Sequence, residues 1–276
     1  MSPRVRYGAA WTHGRALLRV LQEVRGAADD KRSLLVAGAR PAAELAEALA
    51  EGGETGAVKT PSGRAPSEAE LEVAALLVYV VDPKRSDPAE TERTLRRADR
   101  HRIPAVCVLV GDAGGDGAVP YVLATDILRV PAGVSLPLEE IAALVAERAE
   151  DDGWRLAARL PVLRRPVCDV IVRRYSRLNG IVGAAVFVPG ADLPVITLNQ
   201  LRMVLRIAAA NGVEVDRELA LELLAVVTAG LGLRALAREL AALAPGVGWA
   251  AKGAVAYAGT RALGEAAVLR YAKNGY

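Results

Sequence analysis

Short, uninterrupted apolar runs alternate with amphipathic helical patterns in the first half of the chain, and this alternation most constrains the fold. The apolar runs are SLLVAGA at 33–39, VAALLVYVVD at 73–82, IPAVCVLVGD at 103–112 and VPYVLATDI at 119–127. Helical patterns follow the first run and occupy residues 87–102 and 136–153. Continuous apolar strands joined through helices are typical of a parallel sheet covered on both faces. The sequence therefore predicts a small, doubly wound α/β domain.

The second half of the chain has a helical pattern. After Trp154 the strand signals end, and long helical patterns follow that Pro and Gly interrupt. We therefore expect an N-terminal helix or extension at residues 1–30, an α/β domain at 31–152 and an all-α domain at 153–276. The longest uncharged stretch there, 14 residues at 178–191, contains a Pro-Gly pair, whereas a bilayer-spanning helix needs about 20 apolar residues. A membrane-spanning helix is therefore not expected.

The net charge of +3 conceals a contrast between the two halves. Residues 1–152 hold 19 basic and 24 acidic side chains, a balance of −5, whereas residues 153–276 hold 16 and 8, a balance of +8. A basic half suggests an anionic partner such as lipid, nucleic acid or an acidic protein face, and solvated arginine-rich helices explain it equally well. Nucleic acid is not expected, because aromatic side chains for base stacking are few.

The two cysteines argue against a metal centre. Cys107 and Cys168 stand in apolar sequence without Cys or His at metal-ligand spacing. We expect both to be buried thiols in a reducing compartment, and no cofactor is expected. Because the N-terminus lacks the apolar segment of a secretory signal, a cytoplasmic location is expected.

Polar and basic side chains punctuate the helical half. An amphipathic segment at 160–180 carries five arginines of the kind that lie on anionic lipid or an acidic protein, or simply on a solvated face: Arg164, Arg165, Arg173, Arg174 and Arg177. Asp192, Asn199 and Gln200 lie in apolar surroundings, where buried polar groups need partners. Asp192 suits a helix cap, and the two amides suit backbone contacts at a helix crossing. A ligand-binding role for this set is the alternative.

Two segments of the helical half share an outline. Residues 188–212 and 244–275 each contain Pro-Gly, a small-residue-rich helical pattern and then Asn-Gly. This order predicts a helix that starts near Pro-Gly and stops at Asn-Gly, where the backbone turns left-handed. Chance similarity between Ala-rich helices is the alternative explanation.

The first strand is followed by a stretch that compares with a phosphate-binding loop. A P-loop needs G-x-x-x-x-G-K-[ST], so that backbone N–H groups and a lysine neutralise phosphates while a hydroxyl binds Mg²⁺. The aligned residues 38–45 are GARPAAEL: Gly38 is retained, while Ala43, Glu44 and Leu45 replace the second glycine, the lysine and the hydroxyl residue. A carboxylate at the lysine position repels a phosphate.

Two further elements resemble GTPase motifs in order and spacing. Residues 59–63, KTPSG, resemble the Asp-Thr-Pro-Gly element with a lysine in place of the acid, and residues 109–113, LVGDA, stand where Asn-Lys-x-Asp would select guanine. The domain therefore resembles a degenerate Era-like or dynamin-like GTPase, and an unrelated three-layer domain is the alternative. Asp82 and Asp112 end two apolar runs, so they are candidate functional acids, and turn formation explains them equally well.

The helical half resembles a second family, the YcjF-type bacterial helical domain of unknown function. The matching segments are VPGAD at 188–192, NQLRM at 199–203 leading to ANG at 210–212, APGVG at 244–248 and TRALG at 260–264. The resemblance covers roughly residues 160–275. It implies association with Era-like GTPases, and some members of that family are membrane-associated. This chain lacks the separate hydrophobic spans that those members carry.

These observations predict a non-catalytic adaptor or scaffold rather than an enzyme. A pseudo-GTPase domain precedes a helical domain that contacts a protein partner or an anionic membrane surface, on the inner face of the cell membrane in the second case. Self-association into a homo-oligomer is left open. The alternative is a nucleotide-binding, GTPase-related enzyme with an unconventional phosphate loop, and a nucleic-acid-binding protein is the less favoured third choice.

Overall fold

The computed structural model describes residues 20–26, 30–63, 65–111, 119–185, 193–229 and 248–272. The chain divides into two compact units, which are described separately below. The α/β unit is Lys31–Val167, and the helical unit combines Met1–Asp30 with Cys168–Tyr276. The predicted fold class, an α/β region with a parallel sheet followed by a helix-rich region, is confirmed.

The sheet of the α/β unit has five parallel strands. They are β1 (Ser33–Gly38), β2 (Val58–Lys59), β3 (Ala74–Val81), β4 (Ala105–Val110) and β5 (Ile127–Val130). Their order is β2-β1-β3-β4-β5, and every neighbouring pair is parallel. The direction of winding therefore reverses between β1 and β3. In such sheets ligands bind outside the carboxyl ends of the strands at the point of reversal.

Helices cover both faces of the sheet. They are α2 (Pro41–Ala50), α3 (Glu68–Glu72), α4 (Pro88–Arg100), α5 (Leu138–Ala149) and α6 (Gly153–Arg159). Alternate strand residues such as Leu77, Tyr79 and Cys107 pack with Leu71 of α3 and Leu95 of α4 in one buried core. Helices α2 and α5 contact each other and cover the opposite face. All eight residues of β3 are buried, as expected for a central strand with two covered faces.

Helix caps fix the starts of two helices on the α3–α4 side. As the Asp-Pro pair predicts, the Asp87 carboxylate accepts a hydrogen bond from the Ala89 N–H, and Pro88 occupies the first turn of α4. Ser67 and Glu70 form a capping box at α3. Neither β2 nor α3 is indicated by the apolar runs from which the other strands are predicted. The Ser-x-x-Glu spacing is the signal that would have found α3.

The last strand lies later in the chain than the sequence predicted. The apolar segment 119–127 forms a turn and a short 3₁₀ helix (Ala124–Asp126), and β5 starts at Ile127. Pro120 has no N–H for a ladder, and Asp126 is buried within 3.3 Å of the Arg148 guanidinium rather than extended in a strand. The edge strand β5 therefore begins directly after Asp126, the turn residue that pairs with Arg148.

Arg159 explains why the α/β unit extends beyond residue 152. Its side chain donates hydrogen bonds to the carbonyl oxygens of Lys31 and Arg32, at 3.1 and 2.9 Å, and to the Glu54 carboxylate at 3.1 Å. Its own carbonyl accepts from the Glu54 N–H at 2.8 Å. These contacts anchor α6 to the start of β1 and to the connection after α2.

The described part of the helical unit comprises five helices. They are α1 (residues 20–26), α7 (Pro161–Ala185), whose larger part belongs to this unit, α8 (Leu193–Ala210), α9 (Arg217–Ala229) and α10 (Gly248–Ala272). Helix α8 packs against both α9 and α10. None of the described helices is both long and apolar enough to cross a bilayer.

The N-terminal segment belongs to the helical unit, although the sequence set residues 1–30 apart. Val20, Leu21 and Val24 are buried. Glu23 lies 2.9 Å from a guanidinium nitrogen of Arg206 and 3.4 Å from one of Arg202, both on α8. Helix α1 is therefore held by an apolar face and by two ion pairs of Glu23.

The Asn-Gly stop at the end of α8 is confirmed. Gly212 has φ of 78°, its N–H donates to the Ala209 carbonyl at 2.9 Å, and the Val213 N–H donates to the Ala208 carbonyl at 3.1 Å. This pair of bonds is a Schellman motif. The other marks of the two similar segments, Pro-Gly at 189–190 and 245–246 and Asn-Gly at 274–275, lie outside the described residues.

Candidate functional site

A cleft of about 390 Å³ opens at the carboxyl ends of β1 and β3, where the winding of the sheet reverses. Its walls come from the end of β1 and the start of α2 on one side, and from the β3–α4 connection and the first turn of α4 on the other. This is the general position of ligand sites in open α/β sheets. It is therefore the place to test for nucleotide chemistry.

The connection between β1 and α2 is too short to form a phosphate loop. Helix α2 begins at Pro41, so only Ala39 and Arg40 link it to β1. Gly38 has φ of 112°, and a Cβ there would lie 2.0 Å from the Val80 carbonyl oxygen, so the glycine lets β1 pass closely beside β3. Ala43, Glu44 and Leu45 lie inside α2 rather than in a loop.

Backbone donors at this turn are occupied or missing. The Ala39 N–H donates to the Val80 carbonyl and the Ala42 N–H donates to the Ala39 carbonyl, each at 2.8 Å. Pro41 has no N–H at all. A helix N-terminus binds anions through unsatisfied N–H groups. Of three backbone positions that could donate to a phosphate here, two therefore have occupied N–H groups and the third has none.

The charges around the cleft disfavour a polyanion. Four carboxylates and two guanidinium groups line it: Glu44, Asp82, Asp87 and Glu90, against Arg40 and Arg85. The formal balance is −2. The exposed Glu44, at the position of the P-loop lysine, lines the cleft directly. The net negative charge of the cleft would therefore repel a triphosphate instead of neutralising it.

The candidate acid Asp82 organises a turn. Its Oδ1 accepts from the Lys84 N–H at 3.0 Å, and its carbonyl accepts from the N–H groups of Arg85 and Ser86 at 3.0 and 2.7 Å. Its own N–H donates to Ser86 Oγ at 3.0 Å. The turn-forming role that the sequence offered as the alternative accounts for these contacts. Asp112, the other candidate acid, lies outside the described residues.

A buried hydroxyl cluster contributes to the cleft wall. Tyr79 is 4% exposed and hydrogen-bonds with the side chains of Thr91 and Thr94 on α4, which are also buried. Burial raises the pKa of the Tyr79 phenol above its ordinary value of 10.0, and the two threonine hydrogen bonds oppose that rise. The phenol is therefore protonated near neutral pH and packs as part of the core.

Residues 59–63 do not reach the cleft, since none of them lines it. They start at the last residue of β2, and Ser62 is fixed to α3 through hydrogen bonds from its N–H and its hydroxyl to Glu70 Oε1, at 2.9 and 2.8 Å. Ser67 donates two more hydrogen bonds to Oε2. These four bonds lower the pKa of Glu70 to about 2. The segment that resembles a Mg²⁺-organising motif is thus held at Ser62 by hydrogen bonds to the Glu70 carboxylate on α3.

A buried amide and hydroxyl network joins three helices of the helical unit. Asn199 on α8 donates to Asn179 Oδ1 on α7 at 2.8 Å. Asn179 in turn donates to Thr260 Oγ1 on α10 at 3.0 Å, and Gln200 on α8 donates to the same oxygen at 2.9 Å. All four side chains are at most 7% exposed. We call them the polar network.

The polar network differs from the expectation for Asn199 and Gln200. The sequence predicted backbone contacts at a helix crossing, whereas the bonds described above run to side chains of α7 and α10. Asn179 and Thr260 were missed as partners, because Asn179 lies 20 residues from Asn199 and Thr260 lies 60 residues from Gln200 in the chain. Asp192, the third member of the predicted set, lies outside the described residues.

Glycines allow α7 and α10 to cross closely beside the polar network. A Cβ on Gly183 would lie 2.8 Å from Ala256 Cβ, and one on Gly253 would lie 2.9 Å from the Gly180 carbonyl oxygen. Side chains larger than hydrogen at these positions would force the helices apart. The crossing therefore fixes which faces of α7 and α10 are left exposed.

The five predicted arginines all lie on α7 and are divided between the two units. Arg164 and Arg165 belong to the α/β unit, while Arg173, Arg174 and Arg177 belong to the helical unit. Arg174 and Arg177 are exposed, and their spacing places them on the same α7 face as Leu178 and Ile181.

No family model, no curated protein and no solved structure matches the chain. The resemblances to Era-like GTPases and to YcjF-type domains stay predictions. Among the described residues no group of three or more His, Cys, Asp or Glu side chains is placed to hold a metal ion. Both cysteines are free and buried, and burial raises the pKa of Cys107 to about 12.

Proposed function

We propose that the protein is a non-catalytic adaptor, in which the α/β unit is a scaffold derived from a nucleotide-binding architecture and the helical unit carries the contact surface. The observation that supports this most directly is the two-residue connection between β1 and α2, with Glu44 lining the cleft beyond it. A site that binds nucleoside triphosphates needs loop length, free N–H donors and positive charge at this position.

Electrostatics gives the scale of the penalty for a triphosphate. Two like unit charges 4 Å apart repel by about 4 kcal/mol at an effective dielectric constant of about 20. The two arginines of the cleft offset part of that repulsion, but four carboxylates line the same walls. Loss of the loop donors removes the hydrogen bonds that would compensate for it. Triphosphate binding at this edge is therefore disfavoured by charge and by geometry together.

The helical unit has the properties of a preformed contact surface. The polar network ties α7, α8 and α10 together, and the glycine crossing brings α7 and α10 into close contact. A rigid surface binds with less loss of conformational entropy than a flexible one. An adaptor needs a rigid contact surface and no catalytic site. The helical unit supplies that surface, and the α/β unit serves as its scaffold.

Calorimetric titration of the full chain with GTP and with ATP, each with Mg²⁺, tests this proposal. We expect no binding below millimolar concentration. Glu44→Gln is the informative variant, and Glu47→Gln is its control, because Glu47 is exposed on α2 and does not line the cleft. If the wild-type chain binds nucleotide with micromolar affinity, and Glu44→Gln alone strengthens that binding, the cleft is a nucleotide site and the enzyme alternative replaces the adaptor.

A further inference from the structure

We propose that the helical unit docks on an anionic lipid bilayer through one exposed face of α7 and α10. The proposal rests on the adaptor function and names its partner. The α7–α10 face consists of six exposed apolar residues: Leu178, Ile181, Ala185, Trp249, Ala250 and Ala254. Arg174 and Arg177 lie beside it on α7.

Large apolar side chains are unusually exposed on this face. Ile181 is 66% exposed, Trp249 61% and Leu178 43%. Single exposed apolar residues are ordinary, but contiguous ones mark contact surfaces. Tryptophan is enriched at the membrane interface, where its ring is apolar and its N–H can still reach a polar group.

The glycine crossing places the apolar residues of the two helices side by side. Gly180 and Gly183 contact Gly253 and Ala256, so the end of α7 runs antiparallel to the start of α10. Helical phase then puts Ile181 and Ala185 on the same side of the pair as Ala250 and Ala254. Leu178, Ile181, Ala185, Ala250 and Ala254 therefore lie on one side of the helix pair, and the exposed Trp249 precedes Ala250 at the start of α10.

The charge pattern selects the partner. Residues 170–185, 193–210 and 248–264 of these three helices contain no Asp or Glu and carry seven basic residues, of which Arg202 and Arg206 pair with Glu23 and Arg261 pairs with Glu265. Arg174, Arg177, Leu178 and Ile181 follow the spacing of a single helical face, with the arginines at one end and the apolar side chains at the other. A surface without acidic side chains, with arginines beside exposed aliphatic and indole groups, matches anionic headgroups above acyl chains.

A lipid surface accounts for these features better than a protein partner does. Protein contact surfaces combine apolar centres with polar groups that make specific hydrogen bonds at their edges. The α7–α10 face supplies small alanines between its large side chains and one sign of charge at its edge, and no described helix crosses a bilayer. In this arrangement Ile181 and Trp249 insert shallowly among the acyl chains, the small alanines let the helices lie close to the bilayer, and the arginines contact the headgroups.

Co-sedimentation of the full chain with vesicles of phosphatidylcholine alone or with 30% phosphatidylglycerol tests the proposal. We expect binding to the anionic vesicles that weakens as salt rises. The double variant Arg174→Gln/Arg177→Gln should weaken it about 25-fold, at about 1 kcal/mol for each basic residue near the surface. The control is Arg217→Gln, an exposed arginine at the start of α9.

Two apolar variants separate insertion from simple charge attraction. Ile181→Ser should reduce binding, whereas Leu269→Ser should not, because Leu269 is 63% exposed on α10 outside the α7–α10 face. Brominated lipid should quench Trp249 fluorescence on binding, and Trp249→Phe should remove that quenching. Unchanged circular dichroism and melting of each variant show that the fold is retained.

The outcomes distinguish this inference from the adaptor proposal. Equal binding to neutral and anionic vesicles, or equal loss in the control variants, overturns the docking surface. If vesicles do not bind and nucleotide does not bind, the adaptor stands with a protein partner and the lipid inference fails. If nucleotide binds and the vesicle results hold, the lipid inference stands and the non-catalytic proposal fails.

Discussion

Replacing Thr260 by Val tests whether the polar network stabilises the helical unit. Thr260 is fully buried, and its Oγ1 accepts from Asn179 Nδ2 at 3.0 Å and from Gln200 Nε2 at 2.9 Å. Valine keeps the shape of threonine but offers no acceptor. The substitution therefore leaves two buried amide donors without this partner while opening no cavity.

The expected loss of stability follows from the number of donors affected. A buried donor that loses its acceptor costs about 1–3 kcal/mol. Asn179 Nδ2 keeps a long contact of 3.5 Å to the Ile196 carbonyl, which offsets part of the loss. We therefore expect Thr260→Val to lower the free energy of unfolding by about 2–4 kcal/mol. Thr260→Ser keeps the acceptor and removes one methyl group, so it should cost only about 1 kcal/mol.

Urea unfolding followed by circular dichroism measures the difference. With an m value of about 2 kcal/mol per molar urea, Thr260→Val should lower the midpoint by about 1–2 M and Thr260→Ser by about 0.5 M. Because the chain has two units, amide hydrogen exchange should accompany the titration. Protection should fall in α7, α8 and α10 and stay unchanged in the β-strands. Equal midpoints for the two variants would refute the argument, because the acceptor would then contribute nothing.

Three further predictions concern the α/β unit. Gly38→Ala should destabilise the α/β unit by more than about 3 kcal/mol, because the new Cβ would lie 2.0 Å from the Val80 carbonyl oxygen. The control Gly56→Ala, at φ of 81° with no atom near the new Cβ, should cost about 1–2 kcal/mol. Thermal unfolding measures both losses of stability, and equal losses would refute the predicted clash. Glu70→Gln should have a lower free energy of unfolding than wild type at pH 7. This difference should shrink as pH falls from the ordinary glutamate pKa of 4.5 toward the folded-state pKa of about 2. A difference that stays constant with pH in urea titrations would contradict the prediction. Cys107 should react with iodoacetamide at pH 8 only after unfolding, because the thiol is buried and burial raises its pKa to about 12. Mass spectrometry measures the labelling, and rapid labelling of Cys107 in the native chain would contradict the prediction.

Much of the fold could be predicted because its signals are local. Continuous apolar runs predicted β1, β3 and β4, and Asp87-Pro88 and Asn211-Gly212 marked the start of α4 and the end of α8. The strand at β5 was misplaced, because the apolar residues near 119–126 pack in a turn whose ion pair, Asp126 with Arg148, no local pattern displays.

The candidate sites could be predicted only in part. Glu44 was identified from the sequence, and its position beside the cleft follows from the β1–β3 reversal of the sheet. The two-residue turn before α2 was not foreseen, since the aligned motif assumed a longer loop. Gln200 was identified as a buried polar residue, but its acceptor on α10 was not. Nothing along the chain indicates which distant hydroxyl an amide will meet.

The sequence by itself determined the alternation of strands and helices, the caps that start and stop them, and the carboxylate of Glu44 where a phosphate-binding loop would have a lysine, since each depends on side chains within a few residues of one another. Only the tertiary structure decided the strand order, the joining of α1 to the helical unit, the polar network and the α7–α10 face. The physical reason is that these depend on which surfaces bury together. Close packing of glycines and amides far apart in the chain selects one arrangement from several that the local patterns allow equally.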